Sequence, residues 1–275
     1  MFNARDLLGS LVQSGVSSTA NDRLGHAMGP QGLGGRESPF GELLGQVLGG
    51  GAGQGAAGGG LGGLLGGLVG QAGGLANEAT AAVKSGNPLA VGGLAALAGA
   101  LLGGGGDAMK GALGGGLLAV LGGLAMNVLT QQRAGSGAAG VPLGLRAPAS
   151  ADEESVLEDR ALLLISAMVD AAKADGAIDA EERGRIVGRL RETGAGAEAL
   201  DFLMAEMQRP ADIDALVAKV RSQEEAVQVY AASLLAIEVD TEAERTYLAR
   251  LSRSLGLDAQ AVAQVHSALG APVLA

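Results

Sequence analysis

SVLEDRALLLISAMVDAA, residues 155–172, is the stretch of this chain that decides its fold class. Its apolar side chains recur at intervals of three and four residues, which places them along one face of an α-helix. Similar periods predict further helices over about 179–192, 197–208, 212–220, 223–237, 241–254 and 258–269. No segment in this half of the chain has the alternating pattern of a strand. We therefore predict an all-α domain over residues 153–271.

Two acidic segments follow that first helix and offer candidate ligands for a divalent cation. The first is ADGAIDAEER at 174–183, and the second is DTEAER at 240–245. Carboxylate oxygens are the ligands that calcium prefers in proteins. If the fold brought the two segments together, the candidate metal ligands would be Asp175, Asp179, Glu182, Asp240 and Glu244.

The first acidic segment is not a normal EF-hand. It fits the second half of a calcium loop, with Asp175 at the fifth position and Glu182 at the twelfth. Ala171 and Lys173 then occupy the first and third positions, where oxygen ligands are required. A metal ion would therefore need additional ligands from the second acidic segment.

Helix capping explains the same residue types without any ligand. Asp179 with Glu182, and Thr241 with Glu244, have the spacing of a capping box at a helix start. Gly176 would supply the left-handed turn that ends the preceding helix. Each cap stabilises a helix by about 1 kcal/mol, so capping alone accounts for the pattern. On the sequence, both the metal site and the caps remain open.

Composition separates the two halves of the chain. Of the 49 glycines, 42 lie in the first 150 residues, whereas residues 151–275 carry 23 acidic and 12 basic side chains. This acidic half repels nucleic acid, and neither half has the basic stripe with interleaved aromatic residues that strand binding requires. The chain contains no cysteine, which excludes disulfides, thiolate ligands and a cysteine nucleophile.

The amino-terminal half is predicted to contain three regions. Residues 1–85 form a glycine-rich, low-complexity region, residues 86–133 an apolar hairpin, and residues 134–152 a linker. The hairpin is predicted because 22 uncharged residues separate Lys84 from Asp107 and another 22 separate Lys110 from Arg133, close to the length that spans a bilayer. Small residues also recur every fourth position there, as in helices that pack closely within membranes.

The alternative for this half is a partly helical or disordered tract that associates with itself. If the hairpin does span a membrane, Lys84 before it and Arg133 after it favour a cytoplasmic location for both of its ends. The carboxy-terminal domain would then be cytoplasmic.

The motifs VDAAKADGAIDAEER at 169–183 and DTEAERTYL at 240–248 resemble those of the TerB-like helical family, which is associated with tellurite resistance. A glycine-rich, apolar region before such a domain is similar to the YebE-like bacterial branch. The resemblance covers about residues 150–270. It implies an all-helical bundle, association with the bacterial inner membrane, and a poorly defined function for which metal binding through the acidic cluster has been suggested.

These observations predict a non-enzymatic, membrane-associated protein that presents an acidic TerB-like domain in a stress or tellurite-type response. The alternative is a soluble metal-binding or protein-interaction module with a self-associating glycine-rich arm. We expect the protein to associate with a membrane, with a protein partner or with a second copy of itself. We do not expect it to bind nucleic acid. His26 and His266 are predicted to be solvated surface residues, and no residue pattern indicates a catalytic site.

Overall fold

The computed structural model describes residues 2–13, 17, 19–28, 107–132, 148–176, 178, 180–192 and 194–273. All regular structure within these ranges is α-helical, which confirms the predicted all-α fold. The helices are α1 (Ala4–Gln13), α2 (Ala20–Met28), α3 (Asp107–Gln132), α4 (Ala151–Ala172), α5 (Ala180–Glu192), α6 (Ala197–Gln208), α7 (Ile213–Val217), α8 (Gln223–Ala236), α9 (Glu242–Ser254) and α10 (Ala259–Ala268).

Helices α4 and α8 form the centre of the bundle. Ser150 caps α4 by accepting a hydrogen bond from the Glu153 amide, and the acidic side chains of the first turn complement the helix dipole. Ser222 caps α8 in the same way, through the amide of Glu225. Every residue of α8 from Ala226 to Ala236 is buried. A helix buried on all sides belongs in the interior, and α4, α3 and α9 pack around α8.

The position of helix α3 differs from the predicted membrane hairpin, because this helix is buried in the bundle. Residues 117–125 are all buried, and Leu121 and Leu124 are at most 1% exposed because α3 packs against α1, α8 and α10. None of the described helices is long and apolar enough to cross a bilayer. The described part of the proposed second arm, at 110–133, is therefore a core helix. The first arm, at 86–106, lies outside the described residues.

The small residues of α3 allow this close packing inside the protein. Ala119 and Gly123, which belong to the four-residue spacing, are both buried. At the neighbouring Gly122, an added Cβ would lie 3.5 Å from the Nε2 atom of Gln228 on α8. Small side chains let helix backbones approach each other in a protein core as they do in lipid. The four-residue spacing of small residues therefore could not show whether α3 is surrounded by protein or by lipid.

In the described part of residues 1–85, which is 2–13, 17 and 19–28, the chain forms the helices α1 and α2. Helix α1 is amphipathic and buries Ala4, Leu7, Leu8, Leu11 and Val12 against α3 and α4. At its start, the guanidinium of Arg5 forms ion pairs with Glu154 at 2.9 Å and Glu158 at 2.8 Å on α4. These helices were not predicted from the sequence, because the region as a whole is rich in glycine and was interpreted as low-complexity.

Helix α2 caps the carboxyl end of α8. The buried guanidinium of Arg23 donates hydrogen bonds to the carbonyl oxygens of Leu234, Ile237 and Glu238, the last at 3.0 Å. Helix ends leave carbonyls without intrahelical partners, and a cation there also interacts favourably with the helix dipole. The amino-terminal segment is thus part of the bundle.

Candidate functional site

The five predicted metal ligands are only partly described. Asp175 is exposed after the end of α4, and Asp240 and Glu244 lie at the start of α9. Asp179 and the side chain of Glu182 are outside the described residues. Among the side chains that the structure does describe, no three acidic or histidine residues are grouped so that they could hold a metal ion. Binding of a divalent cation at these positions stays a prediction.

The predicted capping box at α9 is confirmed. Glu244 Oε2 accepts hydrogen bonds from the Asp240 amide at 3.1 Å and from the Thr241 amide and Oγ1 at 3.0 Å, while the Glu244 amide donates to Thr241 Oγ1. Burial raises the pKa of Glu244, but the hydrogen bonds from Thr241 and Asp240 outweigh it and leave the pKa lowered. The pKa of the exposed Asp240 is raised by its interaction with Glu244.

The loop between α8 and α9 is strained. Val239 has a φ of 64°, in the left-handed region that a β-branched residue rarely adopts. The loop is fixed on one side by Arg23, which holds the Ile237 and Glu238 carbonyls, and on the other by the Glu244 cap. Gly176, after α4, has a φ of 156°, which is positive but is not the left-handed turn that the sequence predicted.

A fully buried carboxylate, Asp170, ties α4 to the segment that joins α6 and α7. Its Oδ1 atom lies 3.0 Å from Arg209 Nη2 and 3.7 Å from Lys173 Nζ, and its Oδ2 atom accepts from the Asp212 amide at 3.4 Å. Lys173 Nζ also donates to the carbonyls of Glu206 and Arg209 at 2.6 Å. Burial lowers the pKa of Lys173, and Asp170 opposes that shift. The network satisfies the buried charges and holds two helices together.

The sequence-based expectation for His266 was wrong. This residue is fully buried, and Tyr230 Oη donates to its Nε2 atom at 2.8 Å while its Nδ1 atom donates to the Pro272 carbonyl at 2.5 Å. Burial lowers the pKa of His266, the hydrogen bond to Pro272 opposes the shift, and Arg23 lowers it further. His26 is exposed as predicted, and its ring lies against Gly270.

An open groove lies between α4, α6 and residues 219–225; we call it the docking groove. It encloses about 310 Å³. Its apolar lining comes from Val156, Leu162 and Leu163 on α4 and Phe202 on α6. Its polar lining is Asp159, Arg160, Ser166, Glu206, Lys219, Arg221 and Glu225. No sequence motif marks it, because its walls come from three separate parts of the chain.

Comparison with known proteins identifies a family but no activity. Residues 84–269 match the family described as "Protein of unknown function (DUF533)". The chain is similar to a protein of Yersinia enterocolitica named "Uncharacterized protein in ampR 5'region", with 32% identity over 108 residues, which are 39% of this chain and 78% of that protein. No solved structure matches. With two thirds of its length matched, the chain belongs to the DUF533 family, which is a TerB-like family.

Proposed function

We propose that this protein is a non-enzymatic docking protein that binds a segment of a partner protein in the docking groove. The observation that carries the proposal is the groove itself. It exposes apolar side chains, with Val156 37% exposed at its margin, on a domain that is otherwise strongly acidic. Exposed apolar surface framed by charged residues is typical of protein interaction sites.

The chemistry of the described side chains supports binding over catalysis. The buried titratable groups Asp170, Glu244 and His266 all form hydrogen bonds that hold helices or chain ends together. Ser166 lines the groove, but neither histidine does, so a serine nucleophile there would lack a histidine base.

Site-specific photo-crosslinking in cells tests the docking function. A benzoylphenylalanine at Val156 should form an adduct with a defined partner that mass spectrometry identifies. The control is the same crosslinker at Arg253, an exposed position of α9 outside the groove. The same adducts from both positions, or none from Val156, would contradict the proposal.

A finer assignment places the protein at the bacterial inner membrane in a stress or tellurite response, with its bundle in the cytoplasm. The resemblance to TerB-like and YebE-like proteins supports it. So does the sequence of residues 85–106, which has no formally charged side chain. In this proposal those residues contact the membrane and α3 does not.

Membrane fractionation tests the finer assignment. The full chain should sediment with membranes and be released by detergent, whereas a chain lacking residues 85–106 should stay in the supernatant. If both chains partition in the same way, membrane association through this segment is wrong. The docking function would be unaffected by that result.

A further inference from the structure

We propose that two copies of this chain exchange the helices α1 and α2, so that each copy binds the amino-terminal helices of the other. We call α1 and α2 together the strap, and the surface of α3, α4 and α8 on which they pack the strap-binding surface. The proposal does not rest on the docking function, because its evidence is the contacts of these helices. Those contacts, the short length of α1 and the number of residues that follow the strap carry it.

Helix α1 depends on a surface that buries its apolar face. Leu7, Leu8 and Leu11 are at most 2% exposed where α1 packs against α3 and α4. The helix has only 10 residues, and isolated helices shorter than about 12–15 residues are marginal in water. If α1 leaves the surface of its own chain, it therefore needs an equivalent surface to remain helical. A second copy of the chain provides one.

Polar contacts at the start of α1 fix its direction and register. The guanidinium of Arg5 pairs with Glu154 at 2.9 Å and with Glu158 at 2.8 Å, both near the start of α4. Glu158 Oε2 also accepts a hydrogen bond from the Ala4 amide at 2.6 Å. These contacts require an apolar helix with a cation in its first turn. The strap of a second copy meets this requirement at every position, since the two sequences are identical.

Helix α2 is also held by contacts with residues that are distant in the sequence. Arg23 is 4% exposed and donates to the carbonyl oxygens of Leu234, Ile237 and Glu238. Just before α2, Ser17 Oγ donates to the carbonyl oxygen of Leu235 at 3.2 Å. All of these acceptors lie at the carboxyl end of α8. The same contacts form whether α8 belongs to the same chain or to a second copy.

The number of residues after the strap allows the exchange. There are 78 residues between Met28 at the end of α2 and Asp107 at the start of α3. Fully extended, such a connection reaches up to about 260 Å. Helix α3, the longest described helix, has 26 residues and is about 40 Å long. The connection thus does not force the strap onto its own chain, and exchange of an identical element is a low-cost route to a dimer.

The family match separates the strap from the surface that binds it. The match covers residues 84–269 and includes α3, α4 and α8, whereas α1 and α2 precede it. The strap-binding surface is therefore part of the matched family unit, and the strap is an element outside that unit. In the exchanged dimer, each family unit would bind the strap of the other copy across a twofold axis.

Co-expression of two charge variants of the full chain tests the exchange. In R5E the strap is repelled by Glu154 and Glu158, and in E154K/E158K the strap-binding surface repels Arg5. Reciprocal exchange between these two variants pairs opposite charges at both surfaces. Tagged R5E should therefore co-purify about tenfold more untagged E154K/E158K than tagged E154K/E158K does, a ratio that corresponds to ~1.4 kcal/mol. Light scattering should give the co-purified complex the mass of a dimer.

The matched control is the triple variant R5E/E154K/E158K, which restores opposite charges within one chain. Against the wild-type chain, its strap and its strap-binding surface are both mismatched. The tagged triple variant should therefore co-purify less wild-type chain than the tagged wild-type chain does. Equal co-purification in all of these pairs would show that dimers form through another surface, and no co-purification in any of them would show that the strap stays on its own chain. Either result overturns the proposal.

Crosslinking gives a second measurement that does not depend on the charge variants being folded. The chain has no cysteine, so single cysteines can be introduced cleanly. When the full-length variants R5C and E154C are co-expressed, a short bis-maleimide should join them into a covalent heterodimer. R253C, at an exposed position of α9, replaces R5C in the control and should give little of this product. A heterodimer yield from R5C no higher than that from R253C would contradict the exchange.

Discussion

At the scale of single residues, the acidic side chains at helix starts bind backbone amides. Glu244 accepts from two amides and one hydroxyl at α9, Asp212 accepts from the Ala215 amide at 3.0 Å, and Asp258 accepts from the Ala261 amide at 2.7 Å. These contacts explain why carboxylates recur just before or within the first turn of helices. At α9, where the structure describes both acids, the motif that suggested a metal site is a helix cap.

Replacing Glu244 with glutamine should lower the free energy of unfolding by about 1 kcal/mol at neutral pH, because the amide is a weaker acceptor for the amides of the cap. The pKa of Glu244 is lowered in the fold from an ordinary value of 4.5. Its contribution is therefore present above that value and is lost as the pH falls through the lower folded pKa. Denaturant unfolding at several pH values measures both effects.

The matched control for this variant is Glu242→Gln, on the same turn of α9. Glu242 is exposed and pairs with Arg245 at 3.2 Å on the surface, so its replacement should change the stability by only a few tenths of a kcal/mol. Equal losses in the two variants, or a loss in Glu244→Gln that persists unchanged at pH 3, would contradict the capping role.

The buried His266 should make the bundle less stable in mild acid. Its pKa is lowered in the fold, so the unfolded chain binds a proton at a pH where the native protein does not. The free energy of unfolding should decrease as the pH falls through about 6.5, by up to ~1.4 kcal/mol per pH unit. His266→Gln should flatten this dependence between pH 7.5 and 5.5, and His26→Gln should retain it. A slope that survives in His266→Gln would show that another group titrates.

The Thr241–Glu244 cap could be predicted from sequence because both residues belong to one helical turn. The partners of Asp170 could not, since Arg209 and Asp212 lie about 40 residues away and reach it only in the fold. The same holds for Tyr230 and His266, which are 36 residues apart. In both cases the only signal in the sequence was an acid or a histidine on an otherwise apolar helix face. Such a residue indicates a buried polar group, but it does not show which residue forms a hydrogen bond with it.

At the scale of helices, α3 shows what periodicity can and cannot determine. The sequence identified an apolar segment with regularly spaced small residues, and the structure has a helix there. Whether such a helix faces lipid or protein depends on the elements beside it. Those elements are α1 and α8, which are far from α3 in sequence. For that reason the helix was predicted and its environment was not.

The docking of α2 on α8 gives a prediction at this scale. Replacing Arg23 with methionine removes the donors to three carbonyls at the end of α8 and should lower the free energy of unfolding by about 2–3 kcal/mol. Arg5→Met is the control, because its ion pairs with the partly exposed Glu154 and Glu158 should together contribute only about 1 kcal/mol. Thermal and denaturant unfolding measure both.

If Arg23→Met were no more destabilising than Arg5→Met, the helix α2 would not cap α8 as described. Equal and small losses would place the amino-terminal helices outside the cooperative fold. A larger loss in Arg23→Met alone would show that residues 20–28 contribute to the stability of a helix more than 200 residues away.

At the scale of the whole molecule, the bundle is larger than the part that the sequence revealed. The carboxy-terminal helices were predicted because their apolar periods are strong and their ends are marked by caps and turns. Helices α1, α2 and α3 complete the core, and α1 and α2 lie before residue 84, where the family match begins. The docking groove depends on this assembly, since Phe2 supports Phe202 in its wall.

The central structural claim is that α3 belongs to the protein core, and hydrogen exchange tests it most directly. In buffer without lipid or detergent, the amides of residues 117–128 should be protected as strongly as those of residues 226–235 in α8, because both helices are buried in one bundle. Added lipid vesicles should not change this protection. Exchange within seconds in buffer, with protection of residues 117–128 only when vesicles are present, would contradict the account.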